Sequence, residues 1–560
     1  MKSHPLLDVR NLSVSFVSDQ QKLTVVDHIS FRLSEAETLA VVGESGSGKT
    51  VTALAVLRLI PEPPGKIFTG EILFRSGTNQ AKDILHFEES EMRQLRGRYI
   101  SMIFQEPMTS LNPVFTCGDQ VMESLQDHLG FSKKQAREKV LDLFNEVKLP
   151  NPAGVLASYP HQLSGGQKQR VMIAMAIACD PAILIADEPT TALDVTVQKT
   201  ILELMKNLQK SRNMSILFIT HDLGLVRGFA DRVLVMHKGQ VIEEGTVNDI
   251  FQNPRQAYTR GLLACRPPLD RRLKRLPTIE NYIGEKQADA MMSITYGERK
   301  LEHERIYARE PILKVENLGK RFGSFTALRR ADFFVFPGET LGIVGESGSG
   351  KTTLARVVLE LIPASEGKII YQNQDITKLT EGKLKKLRKD LQIIFQDPYS
   401  SLNPRMAIGP AILEPMKVHN LHQNDALRKA RVMDLLQKVG LKPEHYYRYA
   451  HEFSGGQRQR ICIARALAVE PRLIICDESV SALDVSIQAQ VLNLLNDLKK
   501  DFGLTYIFIS HDLSVVKYMS DRLIVMKDGK IEEMGESDEV YANPKSEYTR
   551  ALLEAIPGRG

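Results

Sequence analysis

Two tandem domains of the α/β class, each built on a phosphate-loop nucleotide-binding core, are predicted by three observations. The run Gly43-Glu44-Ser45-Gly46-Ser47-Gly48-Lys49-Thr50 returns unchanged as Gly345-Glu346-Ser347-Gly348-Ser349-Gly350-Lys351-Thr352. Each copy follows an apolar run that reads as a buried parallel strand (residues 39–42 and 341–344) and leads into a helically spaced stretch (51–60 and 353–362). Further segments then recur in the same order in both halves, as duplicated domains require.

The repeated run fits G-x-x-x-x-G-K-[ST]. Its glycines let the backbone turn tightly and aim N–H groups at a polyphosphate beside the positive end of the following helix. Lys49 and Lys351 suit the β- and γ-phosphates, and Thr50 and Thr352 suit Mg²⁺. A Gly/Ser-rich turn could match once by chance. Two copies in strand–loop–helix context remove that reading.

At 560 residues, with 43% hydrophobic and 25% charged residues, the chain reads as ordinary globular protein. A net charge of +5 over that length gives no reason to expect a nucleic-acid partner. No apolar run reaches the ~18 residues needed to cross a bilayer, and the first residues lead into mixed polar sequence instead of a signal-peptide core. The five cysteines form no C-x-x-C pair and read as reduced, packed thiols. A membrane partner, if any, must supply its own spans.

The halves keep step closely. Gln105 matches Gln396, Ser164 matches Ser454, Glu188 matches Glu478 and His221 matches His511. Lys49 and Gln105 lie 56 apart where Lys351 and Gln396 lie 45 apart, so the first half carries about 11 more residues there, expected as a surface loop over 76–89. Each half opens with an alternating strand ending in an aromatic, Phe16 or Phe322. Such a ring could stack on adenine, although a strand-end phenylalanine is more often packing. Gln105-Glu106-Pro107 and Gln396-Asp397-Pro398 each end a strand, because proline forces the chain out of the sheet. A glutamine there suits Mg²⁺ or an attacking water, or is simply a turn residue.

Ser164-Gly165-Gly166-Gln167 and Ser454-Gly455-Gly456-Gln457 each open a helix, making a second anion-binding surface. Two further buried strands end in paired carboxylates, Asp187-Glu188 and Asp477-Glu478. The first acid suits water-bridged Mg²⁺ and the second suits polarising an attacking water. Ala192-Leu193-Asp194 and Ala482-Leu483-Asp484 follow. One more strand in each half ends in a histidine, His221 or His511.

Taken together, these residues resemble the ATP-binding cassette of ABC proteins, and the resemblance covers nearly the whole chain twice. It implies, in each half, a RecA-like core with an antiparallel β subdomain and a helical subdomain. It also implies ATP and Mg²⁺ as ligands, with Gly43, Ser45, Gly46, Gly48, Lys49 and Thr50, and Gly345, Ser347, Gly348, Gly350, Lys351 and Thr352, around the phosphates. Phe16, Phe322, Gln105, Gln396 and the two signature segments complete the nucleotide contacts. Thr50, Gln105 and Asp187, and Thr352, Gln396 and Asp477, take the metal. Glu188, Glu478, His221 and His511 are the expected catalytic groups. The family resemblance further implies that the cassettes pair head to tail, each signature segment facing the other cassette's phosphate loop, so that one chain supplies both halves.

Finer marks resemble the peptide/nickel importer ATPases. They are Gln105 to Pro113, Tyr159-Pro160-His161-Gln162, and the endings Asn253-Pro254 with Tyr258-Thr259-Arg260 and Asn543-Pro544 with Tyr548-Thr549-Arg550. The whole is similar to fused forms serving dipeptide, oligopeptide, glutathione or microcin C import. That implies two integral membrane permeases, a periplasmic or extracellular substrate-binding protein, and a peripheral place on the cytoplasmic face of the cell membrane. The expected domains are 5–265, a linker over 266–311, and 312–560. Two departures stand out. Only Cys265 lies in a tail where many relatives carry several cysteines, so no iron–sulfur cluster is expected. Ser479 follows Glu478 where the family usually has proline, yet the carboxylate is intact and both sites are expected to hydrolyse ATP. The alternative is a soluble tandem cassette acting on ribosomes. It needs a long charged helical linker, whereas in the charged stretch 266–310 here prolines and glycines leave no uninterrupted piece longer than 298–310, about 20 Å as helix.

Overall fold

The computed structural model describes residues 5–18, 21–75, 80–105, 110–191, 193–283, 292–481 and 483–556. Glu106 to Thr109, Ala192, Ala482, Gly284 and the start of the expected loop at Ser76 lie outside the described residues. The chain divides into two compact units, one holding residues up to 193 and 197–263, the other holding residues 264–556.

In the first unit the strands are β1 (Leu7–Ser18), β2 (Gln21–Leu33), β3 (Thr38–Val42), β4 (Gly65–Phe74), β5 (Lys82–Asp83), β6 (Ile100–Ile103), β7 (Ile183–Asp187), β8 (Ser215–Thr220), β9 (Arg232–His237) and β10 (Gln240–Thr246). They form an antiparallel sheet, β2-β1-β4-β5, and a six-stranded sheet, β10-β9-β3-β8-β7-β6. All pairs of the larger sheet are parallel except β9–β10. Parallel strands are covered on both faces, which is why β3, β7 and β8 read as continuous apolar runs and are buried throughout. One apolar cluster joins the two sheets: Leu7, Val9 and Leu33 of the antiparallel sheet pack with Val41, Ile185 and Leu217 of the parallel one.

The second unit repeats this plan with β11 (Leu313–Phe322), β12 (Phe325–Val335), β13 (Thr340–Val344), β14 (Glu366–Tyr371), β15 (Gln374–Asp375), β16 (Leu391–Ile394), β17 (Leu473–Asp477), β18 (Thr505–Ile509), β19 (Arg522–Lys527) and β20 (Lys530–Glu536). Its sheets are β12-β11-β14-β15 and β16-β17-β18-β13-β19-β20, the same orders in matching strands. In each unit the strand bearing the phosphate loop is central, and the carboxylate and histidine strands follow it on one side. Loops at the carboxyl ends of these parallel strands therefore converge, as binding loops do in open α/β sheets.

Each phosphate-loop helix starts at its lysine, Lys49–Val56 and Lys351–Val358. Both are shorter than the apolar spacing suggests, because Arg58 and Glu360 take left-handed conformations (φ 49° and 50°) that stop the helix. The expected surface loop of the first half is partly built into the fold. It carries β5 and a 3-10 turn, Ile84–His86, whose Ile84 side chain is buried in the main core.

The described residues of the segment 266–311 pack within the second unit. Asn493 clamps the Leu276 backbone, accepting its N–H at 2.9 Å and donating to its carbonyl at 2.8 Å. Arg272, almost fully buried, donates to the carbonyls of Tyr518 and Ser520 and to Asp538. Arg299 pairs with Glu536 and Asp538. Its helix, Tyr296–Tyr307, runs through Gly297, one of the glycines expected to interrupt the segment. Thr295 and Glu298 form a reciprocal capping box, and a glycine in the first turn costs little beside it. Among the described residues, no helix is long and apolar enough to cross a membrane.

Candidate active site

The two phosphate loops are superimposable in their constraints. Gly43 and Gly345 have φ near 155° and 152°, and a Cβ on either would sit 2.2 Å from the carbonyl oxygen of Met236 or Met526. Gly48 and Gly350, both at φ 100°, cap the helix in a left-handed conformation that only glycine takes without strain. Lys49 Nζ donates to the carbonyls of Gly43 and Glu44, both at 2.8 Å, and Lys351 Nζ does the same to Gly345 and Glu346. Both lysines are buried, and burial lowers the Lys351 pKa against the pull of Glu478. A buried ammonium held by two backbone carbonyls suits a polyanion.

Thr50 Oγ1 donates to Asp187 at 3.2 Å, and Thr352 Oγ1 to Asp477 at 3.1 Å. Asp187 is 1% exposed, and burial pushes its carboxyl up to about 6 despite the threonine bond. Asp477 is raised for the same reason. Among the described residues no three His, Cys, Asp or Glu side chains are grouped to hold a metal. A hydroxyl and one carboxylate fit a hard cation whose other ligands are waters and phosphate oxygens.

The residue after each aspartate turns the other way. Glu188 and Glu478 stand at φ 47° and 48°, a left-handed conformation costing on the order of 1 kcal/mol for a residue with a Cβ. Each is held there by its own N–H on the carbonyl of Ile219 or Ile509. The kink brings the carboxylate to two other expected groups and, in the first cassette, to Thr191. His221 Nδ1 lies 3.0 Å from Glu188 Oε1, while Gln105 Nε2 and Thr191 Oγ1 each donate to Oε2 at 3.0 Å. In the second cassette Gln396 Nε2 donates to Glu478 at 2.8 Å and His511 Nδ1 stands 3.5 Å away. Burial raises both glutamates, but the histidine bond and charge and the nearby lysine outweigh it, so both pKa values end below the ordinary carboxylate range. His511 is correspondingly raised, the pull of Glu478 overcoming burial. The sites differ in one bond: Ser481, matching Thr191, donates instead to the Glu478 main-chain carbonyl. Sequence reasoning missed Thr191; its signal is a hydroxyl three residues after the glutamate.

Ser164 and Ser454 are the N-caps of helices Gly165–Ala176 and Gly455–Leu467, each in a reciprocal capping box with Gln167 or Gln457. Gly166 and Gly456 lie close under Val197 and Ile487. Phe16 is half-buried against the core of its unit, whereas Phe322 is half-exposed with the Lys320 ammonium 4.9 Å from its ring centre. The cysteines are all buried, and burial pushes Cys117, Cys179 and Cys462 up to about 11. They are packed, unreactive thiols.

Comparison with known proteins agrees with this geometry. The ABC transporter family model matches residues 26–191 and again 328–481. The model for the oligopeptide/dipeptide transporter C-terminal region matches 242–293 and 533–559. An AAA-domain model (putative AbiEii toxin) overlaps 156–227, inside the first cassette. The chain is similar to the glutathione import ATP-binding protein GsiA of Escherichia coli (strain K12), with 49% identity over 99% of this chain and 89% of that protein. Its likeness to the protein of the same name from Salmonella typhimurium (strain LT2) is again 49%, over 100% of this chain and 90% of the relative. With two complete phosphate-loop sites, each followed by the peptide-transporter tail, the chain belongs to the ABC transporter family as a tandem ATP-binding, ATP-hydrolysing protein.

Proposed function

We propose that the chain is the ATPase subunit of an importer for glutathione or closely related short peptides, with domains over 5–265 and 312–560 joined by 266–311. What carries the reading is the near-half identity, end to end, to proteins named for glutathione import. Two complete sites in one chain and a peptide-transporter tail after each cassette support it.

At each site the phosphate loop and Lys49 or Lys351 hold the β- and γ-phosphates. Thr50 with Asp187, and Thr352 with Asp477, are the residues that would hold Mg²⁺, directly and through water. The metal supplies charge neutralisation on the phosphates. Gln105 and Gln396, which donate to Glu188 and Glu478, are further residues that would hold the metal through their side-chain oxygens. Glu188 and Glu478, kept ionised by their histidines, orient the water that attacks the γ-phosphorus as the bond to the ADP oxygen breaks. His221 and His511 contact the γ-phosphate through the ring edge opposite Nδ1. From the family resemblance we carry over that Ser164 to Gln167 and Ser454 to Gln457 complete the other cassette's nucleotide, and that Phe16 and Phe322 flank adenine.

Two membrane permeases dock beyond Gln105 and Gln396, and a substrate-binding protein delivers the cargo outside. Half-exposed Phe104, Phe115 and Tyr159 in the first cassette, and Tyr399 and Tyr449 in the second, offer apolar surface for such docking. The protein then sits on the cytoplasmic face of the membrane without crossing it. The test is to purify the Glu188→Gln, Glu478→Gln double variant with ATP from its host, and to measure glutathione uptake in cells lacking the chain. Co-purifying permeases and lost uptake support the proposal. Co-purifying ribosomes, or unchanged uptake of glutathione and short peptides, sinks it.

A further inference from the structure

Each peptide-transporter tail returns to its own cassette's phosphate loop through one tyrosine. Tyr258 lies on the helix Ala257–Ala264 and is 4% exposed; Tyr548 lies on Glu547–Glu554. The Glu44 N–H donates to the Tyr258 hydroxyl at 3.3 Å, and the Glu346 N–H donates to the Tyr548 hydroxyl at 3.2 Å. Tyr258 Oη also lies 3.4 Å from the Glu44 carboxylate.

That N–H closes the peptide unit whose carbonyl is that of Gly43 or Gly345, and both this carbonyl and that of residue 44 or 346 tether the phosphate-loop lysine at 2.8 Å. One side of residue 44 or 346 is therefore held by the tail and the other holds the lysine. The tail helix is itself anchored. The Glu243 carboxylate of β10 accepts the N–H groups of Arg255 and Gln256, and Glu533 of β20 accepts those of Lys545 and Ser546. The ring is seated differently in the two units. The His237 ring lies 4.1 Å from that of Tyr258, tilted by 36°, whereas the Lys527 ammonium lies 4.8 Å from the Tyr548 ring centre. The bonded residues stand 214 apart in the first cassette and 202 in the second. The hydroxyl contact persists although the intervening length and the ring's neighbours have changed.

We propose that Tyr258 and Tyr548 are positioning residues for the nucleotide: each ties the tail to the peptide unit that presents the phosphate-loop lysine, so that the tail sets ATP affinity. The inference rests on the nucleotide reading of the loops and not on the identity of the cargo. A tyrosine-to-phenylalanine change keeps the packed ring and removes the hydroxyl, and with it the bond to the loop. Loss of one neutral hydrogen bond corresponds to roughly a fivefold change in affinity.

The experiment is titration calorimetry of Mg·ADP into the full chain, unsubstituted and as Tyr258→Phe, Tyr548→Phe and the double variant, beside the melting temperature of each without nucleotide. Each single variant should weaken one of two sites about fivefold, the double variant both, with melting within about 2 °C of the parent. Unchanged affinity with lowered melting would assign the tyrosines to tail packing alone and overturn the proposal. Unchanged affinity with unchanged melting, or tighter binding, overturns it as well. Failure of the unsubstituted chain to bind Mg·ADP would instead refute the nucleotide reading itself.

Discussion

Replacing Asp187 by asparagine should make the nucleotide-free protein more stable at pH 7.5 while weakening its hold on Mg·ATP. The carboxyl is 1% exposed and its pKa rises from 3.8 to about 6 through burial. A raised carboxyl favours the folded state only while protonated. The favourable contribution is complete below pH 3.8 and is lost as the pH rises through about 6. Above that, the ionised group costs about 3 kcal/mol, two pKa units at 1.36 kcal/mol each. Asparagine keeps an acceptor for Thr50 and removes the charge. Differential scanning should show a gain of several degrees at pH 7.5, with a ceiling of roughly 6–12 °C for a domain of this size. At pH 4.5 the cost falls to about a third, and the gain should shrink with it. Stabilisation of the first unit by Mg·ATP should largely vanish. A variant that melts lower than its parent at pH 7.5, or gains as much at pH 4.5, would refute the reasoning that the site stores a buried charge whose burial outweighs its partners.

Other expectations follow from single contacts. Glu188→Gln and Glu478→Gln should each lower ATP turnover, and together by about 100-fold or more, since both carboxylates are held below the ordinary range beside a histidine; full activity of either single variant under steady-state assay would show that its site is idle. Thr191→Val in the Glu478→Gln background should slow the remaining site by up to about fivefold, one hydrogen bond's worth, without changing Mg·ADP affinity. Asn493→Ala leaves the buried Leu276 N–H and carbonyl unpaired, a loss of about 1–3 kcal/mol. Hydrogen exchange at Leu273 to Leu276 should rise by tenfold or more, and protection unchanged there would mean that the segment is held by its arginines alone.

The sequence disclosed the phosphate loops, the carboxylate strands and the histidine strands because each needs a residue type that little else can replace. Glycine is required where a Cβ would strike the Met236 carbonyl, and a buried parallel strand must be apolar on both faces. Helix ends were less legible, since Arg58 and Glu360 stop their helices in a conformation that neither side chain advertises. The linker was legible as charged and broken, but not as docked. Its attachment runs through Arg272, Arg299 and Asn493, polar residues whose burial depends on partners more than 200 positions away. Periodicity carries no trace of such pairings. Thr191 escaped for a similar reason: a threonine in a threonine pair becomes a site residue only once Glu188 turns left-handed and brings its carboxylate back.

Comparing the two cassettes separates what the chemistry demands from what the fold tolerates. Lysine on two carbonyls, threonine on aspartate, glutamine and histidine on a left-handed glutamate, and the tail tyrosine on the loop are present in both units. The third partner of the glutamate is not shared, because Ser481 bonds the main chain while Thr191 bonds the carboxylate. Next to it, Ser479 replaces Pro189 and its hydroxyl is buried beside Cys476, whose thiol burial pushes up to about 12. Both differences lie within three residues of a proposed catalytic carboxylate, and neither removes the charge or the kink that aims it. A difference in turnover between the sites, if found in the single Glu→Gln variants, is therefore expected in the rate of hydrolysis. Nucleotide affinity, set by the identical loops and their tail braces, should be equal at the two sites.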